Sequence, residues 1–344
     1  MAAPERTLTT AGGGSVALPL FLPVYQQNAD APDVRSFGGD PPVRGCIVNA
    51  YFLYKRRELR ERLRGEQDLH DYLGFDRLVM TDSGAFQAFT RRLLLSNRSI
   101  VAFQDAIGSD VVSPLDLVTP PGESRATAER KLEATAKRVR EAQRYVTRAV
   151  LAGVQQGGRF LDLRRRGTDQ MLRLGVGYLA IGSLVPFFTR RHELSFAGQV
   201  VRAARERAGA AVPIHVYGAG DPLELPFFVL WGADVFDSSS YVHYARKGRY
   251  MTPYGALEDP GPLLAGEWAC RCPACATRSD IRTIFADTPA LAAHNLRTIL
   301  DTVRAAGDAH RAGTLEAMLE QLVDVNAAWF PDSLLRKAWE ARDG

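Results

Sequence analysis

Eight short apolar segments, each followed by a longer charged stretch, constrain this 344-residue chain more than any other feature. They lie at 18–24, 46–50, 78–82, 111–117, 150–155, 178–184, 214–218 and 234–237. Most are rich in Val, Ile and Leu without strict polar–apolar alternation, the pattern of parallel strands covered on both faces. The segments between them carry helix formers. Residues 123–146 are the clearest, with Ser124 placed to cap a stretch rich in Ala, Glu, Lys and Arg. Residues 160–174 and 194–208 are of the same kind. Eight βα units over roughly 250 residues predict an α/β fold of the (β/α)8 TIM-barrel type. An open doubly wound sheet is the competing architecture, but no G-x-G-x-x-G follows the first strand. After the eighth strand, Pro253, Pro260 and Pro262 mark irregular chain, and 288–306 and 313–342 read as helical, the latter interrupted near Pro331.

With 46% hydrophobic and 24% charged residues, the chain can bury a large core. No apolar run is long enough to span a bilayer, so no membrane partner is expected. The first ten residues lack the basic head and apolar core of a secretory signal, and a cytoplasmic location is expected. A net charge of +4 is compatible with a polyanionic partner without requiring one. Cys46, inside Gly45-Cys46-Ile47-Val48, reads as a buried small hydrophobe. Cys270, Cys272 and Cys275 crowd into six residues, which in a cytosolic protein signals metal ligation rather than disulfides. His294 follows nineteen residues after the last of them. A Cys3His set closes a tetrahedral, structural Zn2+ site. The expected organisation is a flexible N-terminus over 1–14, a catalytic barrel over 15–262, and a zinc-binding subdomain with C-terminal helices over 263–344.

In TIM barrels, catalytic groups cluster at the C-terminal ends of strands. Polar residues collect there in this sequence: Asp82 after the third segment, Asp116 after the fourth, Gln156 after the fifth, Gly182 and Ser183 after the sixth, Tyr217 and Gly218 after the seventh, Asp237 after the eighth. Two carboxylates can divide the roles of nucleophile and general acid/base at an anomeric carbon. A third carboxylate and an amide can pair with a purine edge, and Phe86 and Tyr217 can supply aromatic faces. A single strand-end Asp is as readily a helix cap. Four polar side chains at four suitable strand ends are harder to read as caps.

In their order and spacing, these motifs resemble the tRNA-guanine transglycosylase family. They are Thr-Asp-Ser-Gly-Ala-Phe-Gln (81–87), Pro-Leu-Asp (114–116), Val-Gln-Gln-Gly-Gly (154–158), Ala-Ile-Gly-Ser-Leu-Val-Pro (180–186), Tyr-Gly-Ala-Gly-Asp-Pro (217–222), Asp-Val-Phe-Asp-Ser (234–238) and the cysteine cluster. The resemblance covers about residues 18–296. It implies that Asp237 is the nucleophile attacking C1′ of the target nucleotide and Asp82 the general acid/base. It further implies that Asp116 binds guanine N1 and the exocyclic amine, and that Gln156 reads O6. Gly182, Ser183 and Leu184 would face the C7 substituent, Phe86 and Tyr217 would sandwich the base, and Gly218 would line the pocket. His294 matches the fourth zinc ligand. Arg246, Lys247 and Arg249 follow the nucleophile strand and are candidates for gripping nucleic-acid phosphates, against an ordinary solvated loop. The basic helix around Lys131, Lys137, Arg138 and Arg140 reads as a solvated barrel helix, and His70, His192, His215, His243 and His310 carry no spacing signal.

Two departures from the family pattern bear on the substrate. Queuosine-type enzymes follow the nucleophile with Pro-Thr-Arg, whereas this chain has Ser239-Ser240-Tyr241-Val242-His243. The run through Tyr244-Ala245-Arg246 to Thr252 is similar to archaeosine-type enzymes. Those enzymes carry C-terminal RNA-binding domains, for which 344 residues are expected to leave no room. The polynucleotide therefore stays open between tRNA and DNA, with a 7-deazaguanine, preferably the 7-cyano base, as the incoming partner. A homodimer or heterodimer is a further expectation from the family. A hydrolytic glycosidase and a non-catalytic partner subunit are the other readings; retention of both Asp82 and Asp237 argues against the latter.

Overall fold

The computed structural model describes residues 6–10, 12–26, 28–35, 37, 42–90, 95–189 and 193–340. All eight apolar segments form strands: β1 (Leu20–Pro23), β2 (Gly45–Asn49), β3 (Leu78–Asp82), β4 (Val111–Val112), β5 (Val150–Gln155), β6 (Tyr178–Ile181), β7 (Ile214–Val216) and β8 (Val235–Ser238). From β2 to β8 each strand pairs in parallel with the next, and β8 returns to pair with β1. A parallel bridge between Val24 and Ile47 closes the last seam, giving the TIM barrel. The helices used below are α1 (Ala50–Lys55), α2 (Asn97–Ala106), α3 (Arg125–Ala142), α4 (Leu161–Arg173), α5 (Leu194–Ala208), α6 (Ser240–Ala245), α7 (Thr288–Ala312), α8 (Leu315–Trp329) and α9 (Leu335–Glu340). Ser124 caps α3 by accepting from Thr127 N. Gly313, at φ 72°, ends α7 six residues beyond the helix expected from the sequence.

The fourth strand is shorter than the expected 111–117. Pro114 has no N–H to give a ladder. The neighbouring N–H groups are taken by α2 side chains: Ser113 N donates to Gln104 Oε1 at 3.1 Å and Leu115 N to Asn97 Oδ1 at 2.9 Å. Side chains thus replace strand partners and free the loop to carry Asp116.

Strand residues alternate between two cores. Leu20, Leu22, Ile47, Met80, Val111, Val154, Tyr178, Ala180 and Val235 fill the barrel interior. Phe21, Cys46, Val48, Val79, Leu179, Val216 and Phe236 pack outward against the helices. Cys46 is fully buried among them. Continuing the interior register two residues further along β3, β5, β6 and β8 reaches Asp82, Gln156, Gly182 and Asp237. The pleat itself therefore delivers those positions to the mouth, above a dry apolar plug.

Of the N-terminal stretch read as flexible, residues 1–5 and 11 lie outside the described residues. Thr7–Thr9 pairs antiparallel with Ser15–Ala17, and Leu8 closes the lower end of the interior core. Among the described residues, no helix is long and apolar enough to cross a membrane.

Asp234, at the foot of β8, ties this lower end together. It is 4% exposed, accepts from Ile214 N at 2.7 Å, and pairs with Arg6 and Arg205. Removing it leaves part-buried guanidinium charge uncompensated. Asp234→Ala is expected to cost about 3 kcal/mol of stability, read by chemical denaturation; a loss below about 1 kcal/mol would show that the cluster does not tie the barrel.

Candidate active site and metal centre

Asp82 ends β3, where burial is the largest influence on its carboxyl. Desolvation, with smaller contributions from the charges of Asp116 and Asp237, pushes it up to about 7 against the opposing N–H groups of Gly84 and Ser83. Asn49, the last residue of β2, fixes its direction. The Asn49 amide donates to Asp82 Oδ2 at 2.9 Å and Gln87 Oε1 at 3.1 Å, while Asn49 Oδ1 caps α1 by accepting from Phe52 N. Asp116 is likewise pushed up, to about 6, by burial, although Gln156 and Arg138 act to lower it. The charges of Asp82, Asp116 and Asp237 all act on the Tyr217 phenol, as groups sharing one space do.

Asp237 has unequal oxygens. Oδ1 accepts from Gly218 N at 3.0 Å. His215 Nε2 lies 2.9 Å from the same oxygen, but off the line that a well-formed hydrogen bond needs. Among the described residues, Oδ2 has no partner. His215 is fully buried, and its Nδ1 contacts Tyr178 OH at 2.8 Å.

The remaining site residues form a flat polar edge. Gln156 Nε2 donates to Asp116 Oδ2 at 2.5 Å, while the buried Gln156 Oε1 has no partner. A methyl at Gly182 would lie 2.5 Å from Gln156 Nε2, so only glycine allows this approach. Ser183 adopts φ 56°, a left-handed conformation costing about 1–2 kcal/mol. Its Oγ accepts from Thr119 N at 2.9 Å, and Leu184 is fully buried. Tyr217 is fixed by a 2.9 Å contact to Ser113 Oγ, and Phe86 stands 63% exposed at the rim.

The three proposed phosphate contacts lie on the segment after α6. Arg246 pairs with Asp30 and Arg249 with Glu258, and Lys247 is exposed. Exposed ion pairs of this kind contribute about 0–1 kcal/mol, so both guanidinium groups can exchange partners.

Four residues at the site had no functional reading in the sequence: Asn49, Arg138, Arg164 and His215. His215 stands two residues before Tyr217, so strand alternation puts both on the interior face. Arg138, read as part of a solvated helix, is half-buried and donates to Leu115 O at 2.5 Å, beside Asp116. That part of the solvated reading is corrected. Arg164 opens an Arg-Arg-Arg run resembling a solvated helix face, yet is fully buried.

The cysteine cluster converges as its spacing predicts. Cys270, Cys272 and Cys275 place their sulfurs 3.5, 3.5 and 3.4 Å from His294 Nδ1. Tetrahedral zinc, with Zn–S of about 2.3 Å and Zn–N of about 2.0–2.1 Å, sets each sulfur about 3.5 Å from the nitrogen. The four ligand atoms, all within 4.8 Å of one another, thus fit a metal ion of that size. The other imidazole nitrogen, Nε2, contacts Met251 O at 2.8 Å, which leaves Nδ1 as the lone-pair donor. Tyr250 stacks on the imidazole at 3.7 Å between centroids.

A closed barrel with carboxylates sharing its C-terminal mouth places the chain among TIM-barrel proteins, whose functional sites occupy that end. The family model described as queuine tRNA-ribosyltransferase matches residues 5–328. The tRNA-guanine(15) transglycosylase of Methanopyrus kandleri is 39% identical over 307 residues, which is 86% of this chain and 64% of that protein. Proteins of the same name from Methanosarcina mazei and Haloarcula marismortui are 32% and 33% identical, covering 90% and 94% of this chain and 62% and 65% of their own lengths. The chain belongs to the tRNA-guanine transglycosylase family, and spans less than two thirds of each of these relatives.

Replacing one ligand tests the metal centre. Cys272→Ser is expected to lose the metal equivalent measured by emission spectrometry and to lower Tm. A variant retaining a full equivalent with unchanged melting would exclude Cys272 as a ligand.

Proposed function

We propose that this chain is a guanine transglycosylase, exchanging a guanine in nucleic acid for a 7-deazaguanine such as the 7-cyano base through a covalent Asp237 intermediate. The observation that carries the reading is the pairing of an acid held near neutrality, Asp82, with a carboxylate whose one oxygen is pinned, Asp237. In this scheme the target nucleotide leaves its stack and enters the mouth. Asp237 Oδ2 attacks C1′ as the C1′–N9 bond breaks, and the electron pair leaves with the base. Asp82 supplies the proton that makes guanine a competent leaving group. The Asp82 carboxylate then takes the N9 proton of the incoming base, whose N9 attacks C1′ and releases Asp237. A 7-deaza base has no N7 to protonate, which disfavours the reverse step.

Asp116 accepts from N1–H and the exocyclic amine. Gln156 has one amide proton on Asp116 and a second for O6. Gly182, Ser183 and Leu184 face C7, Phe86 and Tyr217 flank the ring, and the Gly218 N–H keeps Asp237 aligned. Arg246, Lys247 and Arg249 hold phosphates. Cys270, Cys272, Cys275 and His294 hold zinc, which stabilises the fold and takes no part in the exchange. The relatives' names make tRNA the first polynucleotide to test, with duplex DNA as the other arm.

Labelled guanine incubated separately with tRNA and DNA tests the reading: exchange into one pool supports it, and base release without incorporation points to a hydrolase instead. Asp237→Ala should abolish exchange while metal content and Tm persist; undiminished exchange would defeat the nucleophile assignment. The acid role of Asp82 predicts a pH dependence. Its protonated form is lost as pH rises through about 7, so kcat/KM for the polynucleotide should fall about tenfold per pH unit above that point. A flat profile between pH 6 and 9, by contrast, would remove Asp82 from the proton transfer.

A further inference from the structure

The turn after β6 is built as a surface of donors. All three of its carbonyls are occupied: Gly182 O accepts from Arg164 Nη1 at 2.6 Å, Ser183 O from Arg164 Nη2 at 3.3 Å, and Leu184 O from Phe187 N at 3.0 Å. Among the described residues, the Ser183 and Leu184 N–H groups have no partner. Ser183 is held left-handed, where a residue with a Cβ does not settle unless its surroundings impose it.

Arg164, on α4, meets that turn at an evident cost. It is fully buried, and its partners are neutral: the two carbonyls above, Gly158 O at 2.9 Å and Gln155 Oε1 at 3.2 Å. Buried arginines ordinarily find a carboxylate. Burial alone draws this one down to about 9, which still leaves it charged at neutral pH. The Gln-Gln-Gly-Gly motif prepares its seat. At Gly157, φ 148°, a Cβ would stand 2.8 Å from Arg164 N, so the glycine lets α4 approach the turn.

We infer that Arg164 is a positioning and specificity-determining residue: its guanidinium occupies the Gly182 and Ser183 carbonyls, holds Ser183 left-handed, and leaves the turn able only to donate. A base substituent meeting that turn must accept hydrogen bonds, as a nitrile or oxo group does. A protonated aminomethyl group finds no free carbonyl there. The inference rests on the base-exchange reading, and names what sets substrate class at that same pocket.

Calorimetric binding of two free bases, 7-cyano-7-deazaguanine and 7-aminomethyl-7-deazaguanine, tests it without requiring turnover. Wild-type protein should prefer the cyano base. Arg164→Lys and Arg164→Gln should weaken that base roughly 10- to 100-fold, the range for hydrogen bonds to a charged group, and narrow the preference. Adding Ser183→Gly to Arg164→Gln should recover part of the loss, because glycine adopts the left-handed turn without strain. Unchanged cyano affinity in folded Arg164→Lys would overturn the inference. So would equal losses for both bases with no recovery by Ser183→Gly, the signature of a merely structural arginine. Wild-type protein that binds the cyano base but exchanges no guanine would defeat the proposed function while leaving this comparison intact.

Discussion

A carboxylate taken out of water must either gather donors or keep its proton, and the acids in this barrel mouth meet that constraint differently. Asp237 gathers the Gly218 N–H, whereas Asp116 gathers the Gln156 amide without offsetting its burial, which still pushes it up to about 6. Asp82 has Asn49 and two backbone N–H groups, yet burial and the neighbouring charges outweigh them. In the proposed exchange, a carboxyl kept protonated by burial is the one placed to donate while a second carboxylate attacks. The arrangement opposes folding as Asp82 ionises. Its contribution to stability is present below about 3.8 and is lost as pH rises through about 7, because the folded state holds the proton more tightly than the unfolded chain.

The apolar plug beneath makes that burial possible. Leu22, Met80, Val154, Ala180 and Val235 fill the interior, so water has no route to the acids from below. Strand alternation then fixes which residue stands above each plug residue, and a slip of one position would turn Asp82 or Asp237 outward into the helix layer. Chemistry and packing are thus two consecutive layers of one register.

The strands and most helices were legible because their signals are local: β-branched runs, a capping serine, an Ala- and Glu-rich helix. The exception, 111–117, failed where Pro114 and two α2 side chains replace the ladder, an interaction between segments that no window over the strand contains. The site divides the same way. Asp82, Asp116, Gln156 and Asp237 were readable from their places at strand ends. Arg164 was not, since burial at the head of an arginine run is decided by carbonyls on two other loops. His215 lies between the two cases. Its alternation with Tyr217 was available, but only contact with Asp237 and Tyr178 gives the position meaning.

The Cys3His cluster is linked to the mouth through chain connectivity. His294 and Asn295 are consecutive on α7 and act on the same short stretch. His294 contacts Met251 O, while Asn295 accepts from Met251 N at 2.9 Å and donates to Arg249 O and Tyr241 O. Tyr241, on α6 directly after the Asp237 strand, donates in turn to Val24 O at the closing seam of the barrel. A metal that fixes His294 therefore fixes the register of α7 against the segment leaving Asp237. Without that clamp, three crowded sulfurs repel once ionised, and the polar side of α7 loses the geometry that anchors residues 241–251. Four protein ligands closing one tetrahedral site fit such a clamp, since no coordination position is left open.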